Sequence, residues 1–415
     1  MFKTETYVDR RKKLIENMPE EFAVVVPPSS AKSSSADAFY GYTPNKNLIY
    51  LTGIDQPRTW LVIHRRKGMD VREDLFIDAY DETHAKWIGS VLTKEEATGT
   101  SGVENVSFNT GVRKWIDRII IRWGIRSVWV DFPLAGLSRD NGARLGFANE
   151  LITSCPHLDF HRLSEEVFRL RMVKSPGELE KMKRAIEITK KGFIRALKAL
   201  KPGMIEYQFE AELLYEFMRS GEKVPAFPAI VAGGGRATCL HYSDKDKKLK
   251  DGSMVLLDFG ARFQYYNADI SRTFPVGGKY TERQRELVEM VIQVQKRAIE
   301  LLRPGKLHSK WNSEVKEYYT ELLLEKGMIE EAEEIDQFYY HNVGHHIGLD
   351  THDENVISDE LKEGMVLTVE PGFYSAEEEI GIRIEDDVLI GSEGNTVLSE
   401  DIPKHPEEIE EVMRG

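Results

Sequence analysis

The chain has 415 residues, of which 41% are hydrophobic and 30% are charged, and it carries a formal net charge of −13. This length is enough for two or three domains with buried cores, and the acidic balance argues against nucleic acid or an anionic membrane as a partner. A charged first segment, the absence of a long apolar run and two widely separated cysteines predict a cytoplasmic protein that neither spans a membrane nor depends on disulfides.

The amino-terminal part of the chain alternates strand patterns with helix patterns. Short β-branched or aromatic runs bounded by turn residues predict strands, and apolar positions at helical spacing predict helices. The strand patterns begin at Phe22, Asn47, Thr59, Asp74 and Ser127, and the helix patterns begin at Tyr7 and near Lys94, Val112 and Asn141. This alternation predicts a small mixed α/β domain over residues 1–165, in which the isolated Trp87 is expected to pack.

A helix start marks the beginning of the second domain. Ser175 is a natural N-cap, Pro176 suits the first helical position, and Glu178 completes a capping box. The helix that follows has helical apolar spacing and is expected to end at the Lys-Pro-Gly run that closes on Gly203. We therefore place the second domain over residues 166–415.

The second domain contains an internal echo. The run LKPG at Leu200 recurs as LRPG at Leu302, and KDGSMVLLDFG recurs, in the same order, as KEGMVLTVEPG. Chance recurrence of turn residues would explain the short pair alone, but two ordered matches favour duplication. Two related halves would bring Asp258 and Glu370 into one crevice from equivalent strands.

Four acidic residues of this domain are candidate metal ligands. Asp258 ends an apolar run and Asp269 lies eleven positions later, whereas Glu370 holds the equivalent place in the second half and Glu385 lies in an alternating strand pattern. At about 4 Å and an effective dielectric constant near 20, each like-charged pair would cost roughly 4 kcal/mol, which two divalent cations would cancel. Carboxylate ligands with a single imidazole suit Mn²⁺, with Co²⁺, Fe²⁺ or Zn²⁺ as alternatives.

The imidazole is expected from the segment HNVGHHIGLDTHD, which contains His341, His345, His346 and His352. The first two have the spacing of the zincin motif, but Asn342 stands where a zincin needs its glutamate. The glycines of this segment also disfavour a regular helix. Four histidines so close together indicate a site, although their spacing leaves the ligand undecided.

Several stretches carry a family resemblance: HYSD at His241, LLDFGARFQYYNADISRTFP, the histidine-rich segment, EGMVLTVEPGFY and GIRIEDDVLI, with NKNLIYLTGIDQP and KWIG in the first domain. Together they resemble the aminopeptidase P and prolidase branch of the pita-bread dinuclear metallopeptidases, the group that includes methionine aminopeptidase and creatinase. The resemblance covers nearly the whole chain. It implies an α/β fold in which the small first domain precedes a pseudo-twofold pita-bread catalytic domain.

The resemblance implies two divalent metal ions held by five side chains: Asp258, Asp269, His345, Glu370 and Glu385. In that pattern Asp269 and Glu385 bridge the metals, Asp258 binds one of them, and His345 and Glu370 bind the other. A hydroxide shared by the metals is the implied nucleophile, with Glu370 as the proton acceptor. The neighbouring His346 has no implied role.

The resemblance also implies roles for residues around the metals. His352 would contact the substrate backbone and transfer protons, and His241 would serve the leaving-group or oxyanion side. The remaining three, which match positions lining a proline pocket, are His341, Tyr374 and Arg383.

We therefore expect a manganese-dependent Xaa-Pro aminopeptidase that forms a homodimer or homotetramer and releases the first residue of peptides with proline at position 2. An Xaa-Pro dipeptidase (prolidase), which shares all the ligands, is the main alternative. A non-catalytic binding module on the same fold is a third hypothesis. It predicts lost ligands and basic tails, neither of which the sequence shows.

Overall fold

The structure, a computed structural model, describes residues 2–29, 35–36, 42–82, 85–86, 89, 91–132, 142–356 and 360–415. The chain divides into two compact units, Met1–Leu170 and Arg171–Gly415. Trp87, expected to pack in the first domain, lies outside the described residues. Among those that are described, no helix is both long and apolar enough to cross a bilayer.

The first unit is built on a mixed sheet of six strands: β1 (Phe22–Val26), β2 (Trp60–Arg65), β3 (Arg72–Ile77), β4 (Asn105–Phe108), β5 (Ser127–Val130) and β6 (Asp159–Arg162). Their order across the sheet is β4-β3-β2-β1-β5-β6. β2 runs antiparallel to both β1 and β3, and the outer pairings β3–β4, β1–β5 and β5–β6 are parallel. The strands predicted at Phe22, Thr59, Asp74 and Ser127 are thus confirmed.

Helices accompany this sheet: α1 (Thr4–Glu16), α2 (Lys46–Thr52), α3 (Lys94–Ser101), α4 (Val112–Asp117), α5 (Gly142–Ser154) and α6 (Ser164–Met172). A π-helical turn, Arg118–Arg122, continues α4. The helices predicted near Tyr7, Lys94, Val112 and Asn141 are present within a few residues of their expected starts.

One predicted strand is wrong, because the run that begins at Asn47 forms α2. The side-chain oxygen of Asn45 accepts hydrogen bonds from the backbone N–H groups of Asn47 and Leu48, and Gly53 ends the helix with a φ of 71°. The residues from Asn47 to Thr52 are all buried. A short segment buried on all sides shows a continuous apolar run in either a strand or a helix, so the caps decide its conformation.

The second unit begins with α7 (Pro176–Ala199), α8 (Glu206–Arg219), β7 (Ile230–Gly233), β8 (Met254–Phe259), β9 (Arg262–Phe263), β10 (Tyr266–Asn267) and β11 (Ile270–Pro275). Strands β7, β8 and β11 form an antiparallel sheet, and the β9–β10 hairpin is inserted between β8 and β11. The predicted cap of α7 is confirmed, since the backbone N–H and the hydroxyl of Ser175 both donate to the Glu178 carboxylate, at 2.9 and 2.6 Å.

The unit continues with α9 (Glu282–Leu301), α10 (His308–Glu325), β12 (Val366–Val369), β13 (Gly372–Ser375), β14 (Ile380–Arg383), β15 (Asp386–Leu389), β16 (Thr396–Val397) and α11 (Pro406–Arg414). Strands β12 and β15 pair antiparallel, and the β13–β14 hairpin is inserted between them. Apart from β7, which precedes β8 in the first half only, both halves thus consist of two helices, a strand, an inserted hairpin and a returning strand. The repeat confirms the internal echo, in which the two Pro-Gly runs end α7 and α9.

Aromatic packing attaches the helices of the first half to its sheet. Phe193 of α7 lies 5.3 Å from Phe259 of β8 and 5.8 Å from Phe274 of β11, measured between ring centroids. Phe209 of α8 lies 5.9 Å from Phe274. All four rings are fully buried, so they fix the outer face of the strands that carry the first two acidic candidates.

Candidate active site

The paired strands place four carboxylates at corresponding points of the two halves. Asp258 lies near the end of β8, and Asp269 immediately precedes the returning strand β11. Glu370 immediately follows β12, and Glu385 immediately precedes the returning strand β15. Each half therefore supplies one acidic residue at the end of its outgoing strand and one at the start of its returning strand.

The carboxylates and one imidazole converge. Asp269, His345 and Glu385 can each offer a ligand atom within 4.8 Å of the other two. The Nε2 atom of His345 lies 3.5 Å from an oxygen of Asp269 and 3.5 Å from an oxygen of Glu370. Among the four histidines of the histidine-rich segment, His345 is thus the one whose ring nitrogen faces the acidic cluster.

Hydrogen bonds with neighbouring groups fix the orientation of the His345 ring. Its Nδ1 atom lies 3.0 Å from the backbone carbonyl of His346, to which it must donate, so Nε2 keeps its lone pair. Its backbone N–H donates to the Thr368 hydroxyl at 3.0 Å. Gly344 permits this close approach, because a Cβ there would lie 1.9 Å from the carbonyl oxygen of Thr368.

One guanidinium, that of Arg383, contacts the cluster. It donates to Asp258 at 2.6 Å and to the Ser271 hydroxyl at 2.9 Å. That hydroxyl in turn donates to Glu385 at 2.7 Å. The second oxygen of Asp258 is buried and has no hydrogen-bond partner among the described residues. A single cation therefore leaves part of the buried negative charge uncompensated.

The pKa values of the cluster show this lack of compensation. Burial and then the charge of Asp258 raise the pKa of Asp269 well above its usual 3.8. Burial and then Asp269 raise the pKa of Glu385 well above 4.5. Burial also raises the pKa of Glu370, although His345 and Arg383 act in the opposite direction. Several neighbouring carboxyl groups with raised pKa values are expected in a site that binds a cation.

A hydrogen-bonded chain connects His341, Tyr374 and Arg383. Arg383 donates to the Tyr374 hydroxyl at 3.2 Å, and that hydroxyl lies 2.9 Å from Nε2 of His341. Because Nδ1 of His341 faces the carbonyl of Asn342 at 2.7 Å, Nε2 must accept from the tyrosine. Burial, reinforced by Arg383, lowers the pKa of His341 to about 4. This ring is therefore neutral at physiological pH.

His352 and His241 lie on the same cavity, whose volume is about 580 Å³. The ring of His352 stands edge-on to that of His345, with 4.1 Å between centroids. Burial, and then His345, lower the pKa of His352 to about 4. His241 is exposed at the cavity wall. The cavity also contains the four carboxylates, His341 and Arg383, whereas the buried His346 does not line it.

The residues present fit divalent metal ions. They provide four carboxylates and one imidazole with a free lone pair. They also leave a buried, unpartnered oxygen on Asp258 and hold the pKa values of three carboxyls above normal. Oxygen-rich donor sets of this kind bind hard or borderline divalent cations.

Three supporting residues were not predicted from the sequence. The Ser271 hydroxyl links Arg383 to Glu385, and the Thr368 hydroxyl receives the backbone of His345. Asp387 accepts from the backbone N–H of Asp269 at 3.3 Å. The contacts of these residues depend on strand register, which the spacing of motifs in the sequence does not show. The one available signal is that Ser271 and Asp387 each lie two positions after a predicted ligand.

Comparison with known proteins agrees with this geometry. Residues 180–392 match the family described as metallopeptidase family M24, and residues 7–122 match the aminopeptidase P, N-terminal domain. The chain belongs to metallopeptidase family M24. Among curated M24 relatives, the Xaa-Pro aminopeptidase of Haemophilus influenzae is 32% identical over 99% of this chain and 97% of its own length. That of Escherichia coli is also 32% identical, over 97% and 96%.

Solved structures of M24 aminopeptidases resemble the whole chain. A Bacillus anthracis chain assigned to aminopeptidase P superposes with a TM-score of 0.95 at 37% identity, covering 100% of this chain and 99% of that one. The low-pH form of E. coli aminopeptidase P gives 0.89 at 31% identity, covering 100% and 99%. These findings confirm the predicted branch, the fold class and a metallo-aminopeptidase. Membership of the family implies divalent metal ions.

Proposed function

We propose that this protein is an Xaa-Pro aminopeptidase, which releases the first residue of peptides whose second residue is proline. The observation that carries the proposal is the convergence of Asp269, His345 and Glu385 in a cavity that also contains His341 and Arg383. Full-length relatives named Xaa-Pro aminopeptidase support it.

Proline selectivity is assigned to the chain of His341, Tyr374 and Arg383. A neutral imidazole fixed by the tyrosine hydroxyl offers a flat, weakly polar wall. A proline ring is also flat and apolar, and its nitrogen has no hydrogen to donate. A wall of this kind would hold the tertiary amide in place without demanding the N–H that ordinary peptide substrates carry.

The chemistry is assigned to the residues around the five candidate ligands. Divalent ions held there, which we propose to be a manganese pair with cobalt, iron or zinc as alternatives, would supply polarisation of the scissile carbonyl and a lowered pKa for bound water. We assign acceptance of the proton of the attacking water to Glu370, which lines the same cavity. We assign contact with the substrate backbone to His352 and the leaving-group or oxyanion side to the exposed His241, because both residues line the cavity.

The main competing activity is that of an Xaa-Pro dipeptidase. A relative of 29% identity from Saccharomyces cerevisiae is named intermediate cleaving peptidase 55, and because that name specifies no proline, we also test for a peptidase without a proline requirement. A matched set of peptides separates them: a tripeptide Xaa-Pro-Yaa, its dipeptide Xaa-Pro, and a tripeptide Xaa-Ala-Yaa. We expect hydrolysis of the first only. Cleavage of the dipeptide alone would identify a dipeptidase, and equal cleavage of both tripeptides would remove the proline requirement.

Metal dependence is tested on the same tripeptide. Chelation should abolish hydrolysis, and readdition of Mn²⁺ should restore it better than Co²⁺, Fe²⁺ or Zn²⁺. Activity that survives chelation, or that Mn²⁺ does not restore, would overturn the manganese assignment. Fewer than two bound metals in the unmodified protein, together with unchanged peptide affinity in an Asp269→Ala variant, would favour a binding module. A cytoplasmic location and a homodimeric or homotetrameric assembly remain part of this proposal.

A further inference from the structure

A buried ion cluster joins two segments of the second unit. Residues 171–178, here the anchor segment, precede and begin α7, and residues 345–353, here the histidine loop, carry His345 and His352. Arg171 contacts the carboxylates of Asp353 and Asp350, the latter at 2.7 Å. The ammonium group of Lys174 lies 3.3 Å from Asp353. The side chains of Arg171, Lys174 and Asp353 are 3%, 1% and 2% exposed.

Such a cluster is a poor source of stability by itself. Taking several charges out of water costs about as much as their mutual attraction returns, and apolar replacements of buried ion pairs are often as stable. Burial alone would raise the pKa of Asp353, but Arg171 and Lys174 outweigh it and hold that pKa below 3.8. The Asp353 carboxylate is therefore ionised at neutral pH, and the geometry that the cluster imposes is its main effect.

The histidine loop is wrapped around the Asp353 carboxylate. The backbone N–H of Asp353 donates to the carbonyl of His346 at 2.8 Å. Gly348 lies against the carboxylate so closely that a Cβ there would be 2.5 Å from its oxygen and 3.1 Å from the Lys174 ammonium. The position of His352, directly before Asp353 in the chain, is thus set by where the two cations hold this carboxylate.

The anchor segment reaches two other parts of the site as well. The backbone N–H of Lys174 donates to the carbonyl of Gly364 at 2.8 Å, just before the strand that leads to Glu370. Glu178 accepts from the Tyr266 hydroxyl at 2.9 Å, in the hairpin that leads to Asp269. The next residue of that hairpin, Asn267, donates its backbone N–H to the carbonyl of Gly348 at 2.9 Å. The anchor segment thus contacts the stretches that carry His352, Glu370 and Asp269.

We propose that Arg171 and Lys174 are positioning residues for peptide hydrolysis, which act through Asp353 to hold the His352 ring in place over the metal centre. This inference rests on the proposed function, since it gives His352 a task in the reaction. It also gives the Arg-x-x-Lys-Ser-Pro run at the start of the second unit a purpose other than marking a domain boundary.

The test uses the full-length, metal-loaded protein and the tripeptide Xaa-Pro-Yaa. Asp353→Asn keeps the shape of the side chain but removes its charge, and Lys174→Met removes one cation while leaving Arg171 on the carboxylate. We expect each variant to lower kcat by about tenfold or more, because small displacements of a catalytic group cost that much or more, with KM changed far less. Metal analysis should show the same metal content as in the unmodified protein.

The same substitutions in a protein that already lacks His352 distinguish a positioning role from a merely structural one. In His352→Ala protein, neither Asp353→Asn nor Lys174→Met should lower kcat further, because residues that act as a unit are not additive. Glu73→Gln is the matched control: it neutralises the partner of the fully buried Arg11 in the first unit, where Glu73 contacts it at 2.9 Å. It should leave kcat unchanged in both backgrounds.

The outcomes separate the possible failures. Equal losses with and without His352, or a lowered melting temperature with unchanged kcat, would show a merely structural cluster and overturn the inference. If Asp353→Asn does not fold, Lys174→Met is judged by the same criteria. No hydrolysis by the unmodified protein would count against the proposed function itself. An active His352→Ala protein with full kcat would remove the role of His352, and with it the positioning role.

Discussion

At the scale of single residues, the hydroxyl of Tyr374 holds the proposed proline wall together. It accepts from Arg383 at 3.2 Å and donates to His341 at 2.9 Å. Tyr374→Phe would remove the hydrogen bond to the half-buried His341 and free its ring, at a cost of about 1–3 kcal/mol, so we expect the KM for Xaa-Pro-Yaa to rise about tenfold with a smaller change in kcat. Steady-state kinetics on the tripeptide measure both constants.

Tyr340→Phe is the matched control for this substitution. Tyr340 is a neighbouring phenol, 44% exposed, whose hydroxyl donates to the carbonyl of Thr238. Its loss should leave both constants unchanged. A fall in kcat at constant KM in the Tyr374→Phe protein would instead indicate a part in the chemical step.

The sequence predicted the ligands more fully than the residues that support them. Four clustered carboxylates require counter-charge wherever they meet, so Asp258, Asp269, Glu370 and Glu385 could be proposed from charge and the internal echo. The choice of His345 needed the family resemblance, since its ring orientation depends on contacts that the spacing does not show. The supporting hydroxyls and Asp387 depend on strand register, for which a single sequence gives little information.

At the scale of elements, the first turn of α10 holds the backbone of the histidine-rich segment. The side-chain oxygen of Asn312 accepts from the backbone N–H of Val343 at 2.7 Å, and its amide lies 3.0 Å from Nδ1 of His308. Nε2 of His308 therefore carries the hydrogen and donates to the carbonyl of Gly344 at 2.9 Å. The residue directly before His345 is thus fixed by a helix terminus.

We expect Asn312→Ala to destabilise the protein and to lower kcat. It leaves the N–H of Val343 unpaired and frees the ring of His308, at a cost of about 1–3 kcal/mol. Thermal unfolding and tripeptide kinetics measure the two effects. Asn312→Asp should recover most of the stability, because its oxygen can still accept from Val343. Equal losses in the two variants would contradict this account.

The elements also show where pattern reasoning reaches its limit. The capping box of α7 was predicted correctly, since Ser175, Pro176 and Glu178 form a local signal. The run at Asn47 was predicted as a strand because its apolar residues are consecutive. The side chain of Asn45 and the left-handed Gly53 make it a helix, and both lie just outside the run. Burial on all sides removes the periodicity on which such predictions depend.

At the scale of the whole molecule, duplication explains how four of the five candidate ligands come to lie together. Apart from β7, two helices, a strand, an inserted hairpin and a returning strand occur in each half, and each half supplies two carboxylates. The sequence revealed this through the echo between Asp258 and Glu370. It did not reveal the hairpin inserted between β12 and β15, because the echo stops at the Pro-Gly after Glu370.

The same centre makes stability depend on metal and pH together. In the metal-free fold the pKa values of Asp269 and Glu385 lie well above 3.8 and 4.5, so the native state binds more protons than the unfolded chain above those values. The stability that these two carboxyl groups contribute to the metal-free protein is therefore present in acid and is lost as the pH rises through their native pKa values. Bound divalent ions reverse this effect, because they bind the ionised carboxylates of the native state alone.

We therefore expect the gap in melting temperature between metal-loaded and metal-free protein to be wider near pH 8 than near pH 6. The lowered pKa values of His341 and His352 have the opposite effect, because they reduce stability in acid. The difference in melting temperature between the two forms is therefore used, so that this contribution is subtracted. Scanning calorimetry before and after chelation gives the measurement. Asp269→Asn should raise the melting temperature of the metal-free protein near pH 8, because it removes one of the repelling charges. A gap that stays constant with pH would show that the raised pKa values contribute nothing to folding.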